Sequence, residues 1–204
     1  MCRFHSGIRQ KKYLPGKRHI EPENRKLNNL FRDGAKRTVK RSLVRVDNRL
    51  VHGQILESWI PFLHASCIVV VNNEVAGDVF RESVIRMAVP RGIEVVFCGI
   101  DDFAQWQNPE KESDNHRHTI ILFESIEDVI RAYRLGFRFE DLNVGNVQNN
   151  VGRTRKIGTR VHLSDSEIED LMMLVRLGVD VEIRSVPRDR PVSFADAVGN
   201  TRGD

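Results

Sequence analysis

Ser42-Leu-Val-Arg45-Val-Asp47-Asn48-Arg49-Leu-Val-His52-Gly53-Gln54 is the stretch that decides the fold. The run 42–46 is short and rich in branched apolar residues, which suits a strand. Ile55, Trp59, Phe62 and Leu63 then recur at helical spacing, which predicts a helix over 54–63. The break between them holds Asp47, Asn48, Arg49, His52 and Gly53. In an α/β sheet such a turn lies at the carboxyl end of the strand, where these folds bind ligands. The helix that follows offers unpaired N–H groups and a positive dipole end, which suit an anion. Gly53, lacking a Cβ, lets backbone N–H groups approach a phosphate. A histidine there, beside an arginine, can attack a phosphoryl group and then hold it. Arg49 can fork two N–H donors onto phosphoryl oxygens. One ring nitrogen must be oriented by an acceptor, which Asp47 or a backbone carbonyl can supply. By spacing alone, the same residues also suit a plain helix start with an Asp47–Arg49 loop ion pair.

Outward from this stretch, short apolar runs alternate with amphipathic ones. Strands are predicted at 67–72, 94–98, 118–123, 141–144, 157–162 and 180–184. Helices are predicted at 77–88, with Phe80, Val84, Met87 and Ala88 on one face, at 125–135 and at 164–177. Ser125-Ile-Glu-Asp128 resembles a capping box, Ser164-Asp-Ser-Glu167 is one, and Gly178 suits the position after the last helix. This alternation implies a single α/β domain: a mainly parallel sheet of six to seven strands with helices on both faces. We place the domain at 42–192, after a basic N-terminal extension (1–41) and before a C-terminal tail (193–204) with a short helix around 194–198.

The charge is divided unevenly. Residues 1–41 carry thirteen Lys and Arg against three Asp and Glu, whereas the remainder carries nineteen against twenty-five. The mildly acidic body argues against a nucleic-acid-binding core. The extension reads as disordered: an inert solvated tail, a mis-assigned start, or a basic arm for anionic lipid or nucleic acid. No apolar run reaches membrane-span length, and no secretory signal is evident. Cys67 and Cys98 sit in strand-like runs and read as buried thiols, and nothing suggests a disulfide framework, so a reducing cytoplasm is expected. Phosphate-binding glycine loops and the G-x-S-x-G elbow are missing, and His116 and His118 complete no metal cluster. No cofactor and no metal is therefore expected. His64 reads as a helix C-terminal cation, and His162 as structural.

Asn143-Val-Gly145-Asn146 also ends a predicted strand. Its Gly and Asn tolerate positive φ, so it reads either as a tight capped loop or as a second wall of the His52 cleft. In Arg184-Ser-Val-Pro187, Pro187 ends a strand, and Arg184 is a surface charge or an anion ligand.

The run Val46–Gln54 closely resembles the signature of the IIB component of the mannose/fructose/sorbose family of bacterial sugar phosphotransferase systems. Val69–Ala76, Phe80-Arg with Met87-Ala88-x-Pro90-x-Gly92, Asn143–Asn146 and Val181-Glu-Ile-Arg184-x-Val-Pro187 are similar to further segments of that family, over roughly 42–192. The resemblance implies a phosphohistidine–sugar phosphotransferase. His52 would accept a phosphoryl group from a IIA phosphohistidine and donate it to a hexose-type sugar delivered by membrane IIC and IID subunits. Asp47, Asn48, Arg49, Gly53 and Gln54 would form the phosphate-holding loop. Asn143, Gly145, Asn146 and Arg184 would stand along the cleft. No nucleotide or metal is implied, and the protein would lie in the cytoplasm against the membrane through IIC and IID. A regulatory phospho-acceptor without sugar transport would carry the same loop, and a homodimer is left open. Three departures stand out: the basic extension, Asn48 where many members have Asp, and Val89-Pro-Arg91-Gly in place of a Pro-Pro-Gly type run.

Overall fold

In the computed structural model, residues 42–105 and 118–200 are described; the extension 1–41, His116 and the last four residues lie outside them. Among the described residues, nine strands and seven helical segments follow one another. The strands are β1 (Ser42–Asp47), β2 (Cys67–Val71), β3 (Glu94–Cys98), β4 (Thr119–Phe123), β5 (Asp141–Asn146), β6 (Arg155–Gly158), β7 (Val161–Leu163), β8 (Asp180–Ile183) and β9 (Val192–Ser193). The helical segments are α1 (Ile55–Trp59), α2 (Ile60–Leu63), α3 (Val79–Ala88), α4 (Ile100–Gln105), α5 (Ile126–Arg134), α6 (Asp165–Arg176) and α7 (Phe194–Asn200).

The main sheet has the order β3-β2-β4-β1-β5-β8-β9. It is parallel except for the last pair, β8–β9. The carboxyl ends of β1, β2, β3, β4, β5 and β8 therefore share one edge, with β1 in the middle. Alternation along the strands sends side chains to two cores. Ile68, Val70, Ile120 and Leu122 meet Ile55, Trp59 and Ile60 of α1 and α2 on one face. Val69, Val71, Ile121 and Phe123 meet α4, α5, α6 and α7 on the other. The chain thus leaves β1 on one face and β5 on the opposite face, which makes the β1/β5 end a point of topological reversal.

The predicted caps are present. Ser125 accepts from Asp128 N at 3.1 Å. Ser164 and Glu167 form the reciprocal capping box of α6, which ends before Gly178 at φ +92°.

Four expectations need correction. The single strand predicted at 157–162 is an antiparallel hairpin, β6–β7, turning at 159–160. Helix α4 and strand β9 were not foreseen. The core runs past 192, because Phe194, Ala197 and Val198 are buried in it. Finally, the apolar stripe of α3 faces outward: Phe80 is 78% exposed and Met87 86%. This helix lies at the β2/β3 margin and reaches the core only through Ile85 and the following Val89. Its Arg86 covers the Phe97 ring at 4.8 Å. Cys67 and Cys98 are buried and form no disulfide among the described residues, as the sequence suggested, and burial pushes the Cys98 thiol up.

Candidate phosphoryl-transfer site

The site is built from the end of β1 outward. Positions 43, 45 and 47 point toward the α1–α2 face, where β2 and β4 place Ile68, Val70, Ile120 and Leu122. Here the chain places Arg45 and Asp47, both fully buried. Arg45 donates from Nη2 to Asp47 Oδ2 at 2.8 Å and to the Ser185 carbonyl at 3.0 Å. From Nη1 it donates to the Arg184 carbonyl at 3.0 Å and to Asn143 Oδ1. Its Nε has no partner among the described residues. The guanidinium lies 5.2 Å from the Trp59 ring centroid, and Trp59 Nε1 donates to the Ser185 carbonyl at 3.1 Å. Burial pulls Arg45 down from the ordinary guanidinium range, and Asp47 opposes this. The arginine thus ties the ends of β1, β5 and β8 together beneath the loop.

Asp47 carries this network up to the surface. Its Oδ1 accepts from the Arg49 amide at 3.2 Å and from Arg49 Nε at 3.3 Å, and its Oδ2 lies 3.6 Å from His52 Nε2. Arg49 Nη2 donates to Gln54 Oε1 at 2.7 Å, which orients that amide. His52 Nε2 lies 3.3 Å from the same oxygen. His52 Nδ1 is 2.9 Å from the Leu50 carbonyl, and Leu50 sits at φ +51°, a strained value for a branched side chain. Both neighbours of the ring are oxygens, so each ring nitrogen has an oriented partner, and the tautomer sets which nitrogen donates. To act as a nucleophile, the ring must turn the lone pair of one nitrogen away from its oxygen partner and toward phosphorus. Its side chain is 15% exposed and that of Arg49 30%, so solvent reaches both.

The loop is pinned to β5 by Asn48, whose amide donates to the Asn146 carbonyl at 3.1 Å and whose Oδ1 accepts from Asn146 Nδ2. Gly53 is exposed, with nothing within 4 Å of a built Cβ, so the approach to His52 is open there. The helix start is not a regular one. Ile55 and Leu56 amides both donate to the His52 carbonyl, and α1 winds as a π-helix into α2, with Pro61 at its start. Pro61 has no N–H to give, which loosens the regular ladder here.

The proposed cleft wall is revised. Asn143 and Gly145 lie beneath the loop, not beside it. Asn143 is 2% exposed and donates to Glu182 Oε1 at 2.7 Å. Gly145 adopts no positive φ. It leaves room for Arg45, since a Cβ there would stand 1.9 Å from Arg45 Cζ. Arg184 donates to the Val186 and Pro187 carbonyls of its own loop at 3.3 and 3.0 Å and covers Trp59 and Phe62. Its contacts are structural, and none is with His52. Only Asn146 touches the loop. Arg45 and Trp59 are the supporting residues that sequence reasoning missed. The available signal was a charge at an inward position of a central strand.

The other histidines are structural or peripheral. His118 Nδ1 donates to the Leu63 carbonyl, His64 is an exposed left-handed C-cap, and the His162 amide joins the hairpin to β5 through Val147. Among the described residues no His, Cys, Asp or Glu cluster suits a metal, and no helix is long and apolar enough to cross a membrane.

The family model "PTS system sorbose subfamily IIB component" matches residues 41–203. The sorbose-specific EIIB component of Klebsiella pneumoniae is 29% identical over 78% of this chain and 96% of its own length. The mannose-specific EIIAB component of Escherichia coli K12 is 28% identical over 76% of this chain, which spans 47% of that longer protein. The crystal structure of the IIBSor domain of the sorbose permease from Klebsiella pneumoniae superposes with a TM-score of 0.66, at 28% identity, covering 78% of this chain and 96% of that one. An oriented imidazole at a topological reversal, a guanidinium beside it and a family match over the whole folded unit lead to one conclusion: this chain belongs to the sorbose-subfamily IIB components of the bacterial sugar phosphotransferase system.

Proposed function

We propose that His52 is the residue that carries the phosphoryl group. It takes that group from a phosphohistidine of a IIA protein and gives it to a sugar hydroxyl presented by the membrane IIC and IID subunits. The observation that supports this most is a solvent-reachable imidazole held between Asp47, Gln54 and the Leu50 carbonyl, beside Arg49.

In the first step the donor's N–P bond breaks as a bond from one His52 nitrogen to phosphorus forms. The other His52 nitrogen keeps its proton, and the donor leaves as a neutral imidazole. In the second step the sugar oxygen bonds to phosphorus as the His52 N–P bond breaks, its electron pair returns to the ring to restore neutral His52, and the hydroxyl proton passes to water. Arg49 neutralises the charge that spreads over the equatorial oxygens. Asp47 holds Arg49 and the ring in register, and is itself held by Arg45. Gln54 Oε1 and the Leu50 carbonyl alternate between orienting the ring and releasing it. The step consumes no nucleotide. A cytoplasmic location at the inner membrane face follows from the partners named.

Incubation with phospho-IIA is expected to give acid-labile, base-stable labelling that maps to His52, and His52→Ala is expected to abolish it. Undiminished labelling of that variant would overturn the assignment.

A further inference from the structure

The sheet edge that carries His52 is divided by charge. On one side of β1 are the segments that follow β4, β2 and β3. Residues 124–128, 72–78 and 99–102 hold seven Asp and Glu and no Lys or Arg. On the other side are the segments that follow β5 and β8. Residues 147–164 and 184–191 hold seven Lys and Arg and one acid, Asp189. That acid is exposed but engaged by backbone donors, accepting from the Ser185 and Val186 amides at 3.2 and 3.0 Å.

The basic half is a built surface. The β6–β7 hairpin is bonded to the end of β5, with the Val147 amide donating to the Arg160 carbonyl at 3.0 Å. It also closes over β8, where a Cβ on Gly158 would stand 2.9 Å from Ile183 Cγ2. Lys156, Arg160, Arg188 and Arg190 are exposed. None of the four forms an ion pair among the described residues. Elsewhere on the rim the cations are spent, as in Arg153 with Glu167 at 2.7 Å.

We propose that this basic half is the docking surface for the phosphoryl donor protein, which meets it with an acidic surface. The inference rests on the reading of His52 as phosphoryl acceptor. Four arguments select this occupant. The rim borders the loop the donor must reach. The donor arrives bearing a phosphoryl dianion, which the field of unpaired cations attracts. The membrane subunits are a poor match, because cytoplasmic loops of membrane proteins carry an excess of Lys and Arg. A long polyanion is disfavoured too, since it would run onto the acidic half.

The test is full-length protein carrying Lys156→Glu with Arg160→Glu, or Arg188→Glu with Arg190→Glu, labelled in parallel by phospho-IIA and by phosphoramidate. With phospho-IIA at low ionic strength, we expect kcat/KM to fall about tenfold or more. The gap to the unaltered protein should close at about 1 M salt, where the screening length is about 3 Å. Labelling by phosphoramidate, which needs no docking, should not change. Transfer from phospho-IIA at the unaltered rate in low salt would overturn the proposal. So would an equal loss on reversing Glu74 and Glu127, or a loss confined to retention on heparin or phosphatidylglycerol vesicles. If phosphoramidate fails to label His52 in the unaltered protein, the reading of His52 itself fails.

Discussion

Strands β1 and β2 lie in the same sheet, one strand apart, and are filled by opposite rules. β2 reads Cys-Ile-Val-Val-Val and is buried throughout, with both faces apolar. β1 is also largely buried, but on its α1–α2 face it carries Arg45 level with Val70 of β2, and Asp47 beyond it at the strand end. β2 gains its stability from area removed from water. β1 gives up part of that area for a fully buried ion pair, which costs desolvation and returns stability only if its hydrogen bonds are met. Arg45 meets four of its N–H groups on carbonyls and carboxylate-type oxygens and leaves Nε without a partner. An apolar pair would serve the fold as well. A charged pair at this place serves the loop above it, because Asp47 is the common partner of Arg49 and His52. Local conflict with the fold marks the functional end of the sheet.

The comparison can be broken first by removing one member from each kind of core. Phe123→Ala and Arg45→Met are each expected to cost about 3–5 kcal/mol, the former by a cavity and the latter by stranding Asp47. They should part in function. At a temperature where both variants are folded, Phe123→Ala should accept phosphoryl groups nearly normally. Arg45→Met should lose about a hundredfold in kcat, because the loop is no longer held in register. Denaturant melts and single-turnover labelling check both. If the two variants transfer equally well, Arg45 is only a packing residue.

A finer version acts through the neighbour. Gly145→Ala puts a methyl 1.9 Å from Arg45 Cζ, so the guanidinium must leave its place. The variant should mimic Arg45→Met. Combining the two should cost little more than either alone, the non-additivity expected of groups that share one site.

The smallest effect lies at the opposite end of β5. Burial, with Asp180 and Glu140 close by, holds the Asp141 carboxyl above its usual range. An acid raised on folding favours the fold while it is protonated and loses that contribution as pH rises through its folded value. Asp141→Asn should therefore stabilise the protein near pH 7 by no more than about 0.5 kcal/mol, discounted for solvent screening, and the gain should fade toward pH 3. Phosphoryl acceptance should be unchanged. Thermal melts across pH read both the sign and the fading.

Much of this was legible beforehand for identifiable reasons. The strands of the parallel sheet are apolar runs bounded by turn residues, and α5 and α6 announce themselves with Ser125 and Ser164. The His52 loop was legible because its chemistry is local: Asp47, Asn48, Arg49, His52 and Gln54 lie within eight residues. The misses share one cause. Periodicity shows that α3 has an apolar stripe at Phe80, Val84 and Met87, but not whether that stripe meets a core. A helix at the sheet margin has little to cover, and here the stripe faces solvent. Asn143, Gly145 and Arg184 were legible as unusual, with loop and cleft-wall readings both open, but not as neighbours of Arg45, which is about 100 residues or more away in sequence.

The amino-acid sequence alone determined the order of elements, the parallel class of the sheet and the chemistry of one loop, since these follow from near-neighbour patterns of apolar, capping and ionisable side chains. Tertiary structure decided what lies under and around that loop. It buried a guanidinium beneath Asp47, emptied position 145 to admit it, and gathered charges from distant segments into a basic and an acidic half. Those outcomes depend on which strand ends are brought together, and long-range pairing of that kind leaves no mark in a local window of residues.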